Sequence, residues 1–319
     1  MIPEMPENNR LAPIEALRTL PPLLPAFLRR RRLGLAAVGE ALADLGIERS
    51  AFFVLMQLHV VQGSYNGRPV MLAQIRANNP YSAIDQYSAP LAYLVEKGLV
   101  LRRSGGNYSL APRALDAVER VHVAGRSHVA RLQPLPDEDL SALAASLERA
   151  VNAVLDDDVL KAVPGSHLAG HHSLAQSGET RPMVRIEQAV YDLWGARDDA
   201  HIRAWRDAGL EGPPFDALSR LWTGDARTRD ELDRVLAATQ TPEDVENSVS
   251  FLLDKEYTLV DGEAIGLTPA GVLVREDIER ETDRIYFAPW PHTEAEAVWL
   301  CDMLARLVAA LPPPPGESR

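Results

Sequence analysis

The feature that most constrains the fold is that the chain repeats itself. Leu45-Gly46-Ile47 is matched 163 residues later by Ala208-Gly209-Leu210, and the same shift pairs Phe52 with Phe215, Leu55 with Leu218, Leu58 with Leu221 and His59 with Trp222. Tyr93-Leu94-Val95-Glu96-Lys97 then aligns with Phe251-Leu252-Leu253-Asp254-Lys255 at a shift of 158. Ser109-Leu110-Ala111-Pro112 aligns with Gly266-Leu267-Thr268-Pro269 at 157. The changes of shift fall between elements, where insertions and deletions are tolerated. Three matches in one order imply two diverged copies of a single module, fused in tandem. The 319 residues are enough for two domains of roughly 150 residues each.

Each copy has the same expected layout. In the first, a long helix over about Pro25–Leu45 ends at Gly46, a C-cap type residue. Helices follow near Ser50–Val61, Val70–Ala77 and, after the turn Asn78-Asn79-Pro80, Ser82–Lys97, closed by Gly98. Two short strands, Leu99–Arg102 and Tyr108–Ala111, flank the turn Ser104-Gly105-Gly106-Asn107 as a hairpin, and Pro112 opens a further long helix. The second copy reads Ile186–Asp207, Pro214–Trp222, Thr228–Ala238 and a helix from Pro242 to about Lys255 with Thr241 as N-cap. Its hairpin is Thr258–Val260, Asp261-Gly262-Glu263, Ile265–Leu267, and Pro269 opens its last long helix. The fold class is therefore mainly α with small β-hairpin wings (α+β). The partition is an N-terminal extension at 1–24, a first module at 25–160, a linker at 161–184, an acidic Trp-rich second module at 185–311 and a disordered tail at 312–319.

Charge separates the copies. Residues 1–160 hold 17 basic and 17 acidic residues, leaving 16 and 28 in the remainder, so the whole net charge of −12 lies in the second part. All five tryptophans lie there too. No apolar run approaches the ~18–20 residues of a membrane span, and the acidic, Pro-rich start does not read as a secretory signal. One cysteine, Cys301, permits no intrachain disulfide and suits a reducing cytoplasm.

Leu45-Gly46-Ile47, Leu94-Val95-Glu96-Lys97-Gly98-Leu99-Val100, the short basic hairpin and Ser109-Leu110-Ala111-Pro112 resemble the MarR-type (multiple-antibiotic-resistance repressor) pattern. Gly266-Leu267-Thr268-Pro269-Ala270-Gly271 resembles that family's hairpin exit more closely still. The second copy, with Asp199-Ala200-His201-Ile202-Arg203-Ala204-Trp205, also resembles bacterial helix-turn-helix proteins without a settled activity. The MarR resemblance implies tandem winged helix-turn-helix modules about a pseudo-twofold, one chain mimicking a dimer. It also implies double-stranded DNA as a partner and a small aromatic or apolar ligand that releases it. The chain is then a monomeric pseudo-dimer or a homodimer.

In such modules the third helix enters the major groove and the wing meets the backbone. The first copy offers Ser82, Gln86 and Tyr87 on its third helix, with Arg76, Arg102 and Arg103 for phosphates. That helix holds no Arg or Lys over 82–96, and Pro90 inside it predicts a kink at a cost of ~3 kcal/mol. The second copy presents Glu243, Asp244, Glu246 and Asp254 on its third helix and Asp261 and Glu263 on its wing, which repel phosphate. The second copy is instead the sensing or dimerising half, with Trp194, Trp205, Trp222, Tyr286 and Trp290 as an aromatic ligand surface or simply as core.

Other features weigh less. His167 and His171 share a helical face as metal ligands would, yet His167–His172 reads more simply as linker. Arg29-Arg30-Arg31-Arg32 docks on phosphates, docks on the acidic second half, or is a solvated face. Asp156-Asp157-Asp158 lacks a calcium loop's spacing, and Cys301 reads as a packed thiol. With no G-x-G-x-x-G, P-loop, nucleophile elbow or H-E-x-x-H, no catalytic residue, metal or cofactor is assigned and the chain does not read as an enzyme. The expectation is a DNA-binding transcriptional regulator. The alternative is a binding module that has kept the fold and lost DNA contact.

Overall fold

The computed structural model describes residues 15–161, 163 and 165–314; of the expected tail, 315–319 lie outside the described residues, as do residues 1–14 of the N-terminal extension. The chain is mainly helical with two small antiparallel sheets, a helix-turn-helix fold of the α+β class. The first half runs α1 (Leu23–Arg30), α2 (Ala37–Leu45), α3 (Arg49–Ser64), β1 (Val70–Met71), α4 (Leu72–Ala77), α5 (Ser88–Glu96), β2 (Val100–Arg102), β3 (Asn107–Leu110), α6 (Pro112–Val129), α7 (Asp137–Asp156) and α8 (Asp158–Lys161). A short α9 (His167–His172) leads to α10 (Pro182–Asp207), α11 (Gly212–Thr223), α12 (Arg229–Leu236), α13 (Pro242–Asp254), β4 (Thr258–Asp261), β5 (Ala264–Leu267), α14 (Pro269–Phe287) and α15 (Glu294–Ala310).

Local sequence explains most boundaries. Gly46 adopts φ 65° and ends α2, the left-handed conformation that glycine takes at least cost. Pro112 and Pro269 open α6 and α14, where a missing N–H is no loss. Thr241 caps α13 by accepting from the Asp244 N–H. The expected helix over Pro25–Leu45 is instead two helices, broken between Arg30 and Ala37 with Gly34 at φ 79°.

Backbone hydrogen bonds recur at corresponding positions of the two halves. Ile47 N–H donates to the Leu42 carbonyl as Leu210 does to Trp205. Leu99 donates to Leu94 as Tyr257 does to Leu252, and Ala111 to Leu99 as Thr268 to Tyr257. The β1–β3 pairing of Met71 with Asn107 has a counterpart in the single bridge between Thr228 and Ala264. Gln74 accepts from the Met71 N–H and Glu231 from the Thr228 N–H.

Two hydrophobic cores result. One holds the first winged unit, from Ala41 and Leu45 through Leu55, Leu58, Leu91 and Leu94 to Val118 and Val121. The larger core gathers Leu20, Leu24 and Phe27 of the N-terminal segment and Leu140–Val154 of α7 with α10 and everything after it. Packing therefore draws α1 and α7, which precede residue 160 in the chain, into the body of the second half. The segment expected as linker carries α9, wedged between α3 and α10. A Cβ on Gly170 would lie 2.7 Å from Val60 on α3, and one on Gly195 of α10 would lie 2.8 Å from His171. Only glycine permits so close an approach of three helices.

Candidate functional site

The third helix of the first half begins later than its sequence suggests. Asp85 accepts from the Tyr87 and Ser88 N–H groups, and α5 starts at Ser88. Pro90 then falls in the first turn, where its ring is accommodated, and makes no kink. Ser82, Gln86 and Tyr87 precede the helix. Tyr87 is buried and Gln86 half-buried. The Ser82 hydroxyl and the Ala83 and Ile84 N–H groups all donate to the Thr239 carbonyl, each at 3.0 Å. Tyr81 sits against Trp205 and Phe215 of the second half, with ring centroids 6.1 and 6.3 Å away. Gly212 allows this contact, since a Cβ there would fall 1.8 Å from the Pro80 carbonyl oxygen. The loop before α5 is thus an internal interface, and three of the six residues expected to meet DNA are not on a reading helix.

The exposed face of α5 consists of Ser88, Ala89, Ala92, Tyr93 and Glu96, with the Lys97 ammonium 5.6 Å from the Tyr93 ring. The expected phosphate ligands fare better. Arg76, Arg102 and Arg103 are all exposed, and Arg103 donates to the Ser109 hydroxyl at 3.1 Å. Arg68, exposed on the turn before β1, joins the cations of this half. Its signal was a lone cation between Gly67 and Pro69, easily passed over.

The same surface of the second half is acidic. Glu243, Glu246, Asn247, Ser250 and Asp254 are exposed on α13, and Asp261 and Glu263 on the wing. Arg229, the cation beside them, is held by Glu246 at 2.6 Å. Leu259 and Val260 add exposed apolar surface on β4.

The basic run at 29–32 turns inward. Glu187 on α10, only 3% exposed, accepts from Arg31 and from Arg32 at 2.7 and 3.0 Å. Arg30 donates to the Val308 carbonyl at 3.1 Å. Of the three uses open to the run, three of its arginines dock on the second half.

Histidines concentrate where the halves meet. Asp199, fully buried, accepts from the Ser166 hydroxyl, the His167 and Leu168 N–H groups and the His167 ring, and so caps α9. His171 Nδ1 lies 2.9 Å from the Tyr191 carbonyl. Burial holds its pKa down at about 4. His172 Nδ1 lies 2.8 Å from buried Asp192, a hydrogen bond that raises the imidazole's pKa. A cleft of about 1030 Å³ is lined by His59, Gln62, Arg103, Glu119, His122, Arg126 and the segment 173–176. There the ring centroids of His59 and His122 are 5.6 Å apart, and burial with His59 alongside pulls His122 down to about 3. A smaller cavity of about 320 Å³ lies across the 174–176 segment from this cleft.

The five aromatic residues expected as a ligand surface do not meet in these cavities. Tyr286 and Trp290 are buried with Phe287, at centroid distances of 5.3 Å from each other and 4.7 and 5.2 Å from Phe287. Trp205 stacks on Phe215 inside the core, and Trp194 packs partly buried against it. Trp222 lies near the surface with the Arg275 guanidinium 4.8 Å from its ring. Burial drives this distribution, since large aromatics contribute most where they are fully enclosed. Cys301 is buried, its thiol 3.5 Å from the Ala16 carbonyl.

Comparison with known proteins adds one match. Residues 163–313, which span α9 to the end of α15, match the model of a helix-turn-helix family. No curated protein and no solved structure matches the chain. The chain therefore carries a helix-turn-helix domain over that region, a class in which DNA binding and regulation are common uses. No helix among the described residues is long and apolar enough to cross a membrane.

Proposed function

We propose that this chain is a DNA-binding transcriptional regulator of MarR-like winged-helix type, built from two fused modules, in which only the first module touches DNA. One observation carries this reading. Beside the turns of two antiparallel hairpins, the first half exposes Arg102 and Arg103 while the second exposes Asp261 and Glu263, with Arg103 and Asp261 at matching positions. Cations on a wing neutralise phosphate, and carboxylates there repel it. Arg76 and Arg68 extend the cationic face; Ser88 and Tyr93 are the polar groups that α5 can bring to base edges. With so few donors on α5, phosphate contact dominates affinity and base readout contributes little. The second module serves as the sensing or dimerising half.

The test is retention of the chain's own genomic DNA fragments by purified protein at about 50 and 200 mM salt, where a handful of phosphate contacts produces a large change in affinity. Saturable, salt-sensitive retention is expected, with loss on replacing both Arg102 and Arg103 by Ala. A second reading, a binding module that no longer meets DNA, draws on the loop 79–86 being engaged with the second half. Absence of retention at either salt establishes it instead.

A further inference from the structure

The smaller cavity, about 320 Å³, is enclosed by the C-terminal part of α6, by α7, by α10 and by the segment 174–179 that crosses between the halves. Its volume is at the lower end of the range for small-molecule sites. Its floor is apolar, made by Val151, Leu174, Val184 and Ala189. Its acids are already engaged. Glu148 binds Arg185 at 2.8 and 2.5 Å, Glu179 binds Arg181 at 2.8 and 2.5 Å, and Asp192 accepts from His172 and Gln188, both at 2.8 Å.

Two groups on its wall stay open. Arg126 makes no side-chain hydrogen bond or ion pair among the described residues, although it is half-buried. Burial, with the Arg32 guanidinium nearby, lowers its pKa, and the charges of Glu187 and Glu179 offset this only in part. His172 is held by Asp192 through Nδ1, so its Nε2 is the ring atom left for a ligand, and that nitrogen has no partner among the described residues. Gln188 fixes the arrangement by bridging Asp192 and the His171 carbonyl at 3.0 Å. A buried acid that orients a histidine is a second support of the kind that ligand sites use to fix a donor.

We propose that this cavity binds a small organic carboxylate, its carboxyl group held between Arg126 and His172 and its apolar body on Val151, Leu174, Val184 and Ala189. One unmatched cation and an apolar floor select a monoanion with a hydrocarbon part over inorganic phosphate, which has no apolar surface to bury. The site stands whether or not the chain binds DNA, since none of its residues lies on a wing or reading helix.

The full-length protein is titrated by calorimetry with hexanoate, with its uncharged counterpart hexanamide and with inorganic phosphate. Saturable one-to-one binding of hexanoate is expected, at least tenfold tighter than either of the others. Arg126→Gln weakens hexanoate at least tenfold and His172→Gln several-fold, while Arg131→Gln, outside the cavity, leaves it unchanged. Ala175→Trp, on the exposed segment, closes the cavity without touching the core and abolishes binding in a protein whose circular dichroism is unaltered. It decides the matter should Arg126→Gln fail to fold. Equal binding of hexanamide, binding that survives Arg126→Gln or Ala175→Trp, or no hexanoate binding at all overturns the proposal.

Discussion

The hairpin at 100–110 and the hairpin at 258–267 are both antiparallel, both follow a helix closed by a residue of positive φ (Gly98 and Glu256) and both exit into a proline-led helix, yet their surfaces are opposite. Backbone hydrogen bonding is indifferent to what projects outward, so two like hairpins can share inward residues and differ in exposed ones. Leu94 and Leu252 are both buried at matching positions, whereas Arg103 and Asp261 differ in sign. The half that matches a helix-turn-helix family is the one whose reading surface is acidic. The match there describes the scaffold, and the chemistry of contact is set by the surface.

That contrast assumes the halves act as one body, and Glu187 is the place to break the assumption. Glu187→Ala leaves buried Arg31 and half-buried Arg32 without their counter-charge. A loss of about 3–5 kcal/mol is expected in denaturant unfolding, with fluorescence of the second half's tryptophans and far-UV dichroism moving together. A loss below about 1 kcal/mol would mean that the arginines find solvent and the halves are only loosely joined.

A second difference lies at His59, which the sequence match aligns with Trp222. In the first half this position faces His122, held neutral by burial at a pKa of about 3. On unfolding that ring takes up a proton near its ordinary pKa of about 6.5, so the unfolded state binds more protons below that pH. Stability from this group is complete above about 6.5 and falls as the pH drops toward 3. His122→Gln is expected to reduce the stability lost between about pH 7 and pH 5 by roughly 2 kcal/mol. An unchanged slope would mean that His122 is already hydrated in the folded state.

Much of the scaffold was legible because its signals are local. Gly46, Pro112, Pro269, Thr241 and the hairpin glycines act on their own neighbours. What was not legible depends on distant partners. The break after Arg30 had one local signal, Gly34, but its purpose is Glu187, more than 150 residues away. The late start of α5 combines a local Asp85 turn with the Thr239 carbonyl of the other half. His172 looked like linker because Asp192 and Gln188, which give it a setting, lie on another helix. The tryptophans were visible as residues, but whether each is core or site is decided by tertiary packing.

The smallest expected effect lies at Pro90, where sequence and structure disagree most openly. A mid-helix proline replaced by alanine would gain about 3 kcal/mol. At the first turn of α5 the same change is expected to alter stability by no more than about 0.5 kcal/mol, read from the denaturation midpoint. A large gain would move the start of α5 back toward Ser82 and restore Gln86 and Tyr87 to a reading helix.

Whether DNA contact belongs to the first module and not the second is decided by the salt dependence of DNA affinity in three proteins: the wild type, Arg102→Ala/Arg103→Ala and Asp261→Ala/Glu263→Ala. Each phosphate contact contributes about 0.9 to the slope of log K against log salt. The first double variant is expected to lose roughly 1.8 of that slope while the second keeps the wild-type slope. Equal slopes in all three, or a change confined to the second wing's variant, would contradict it.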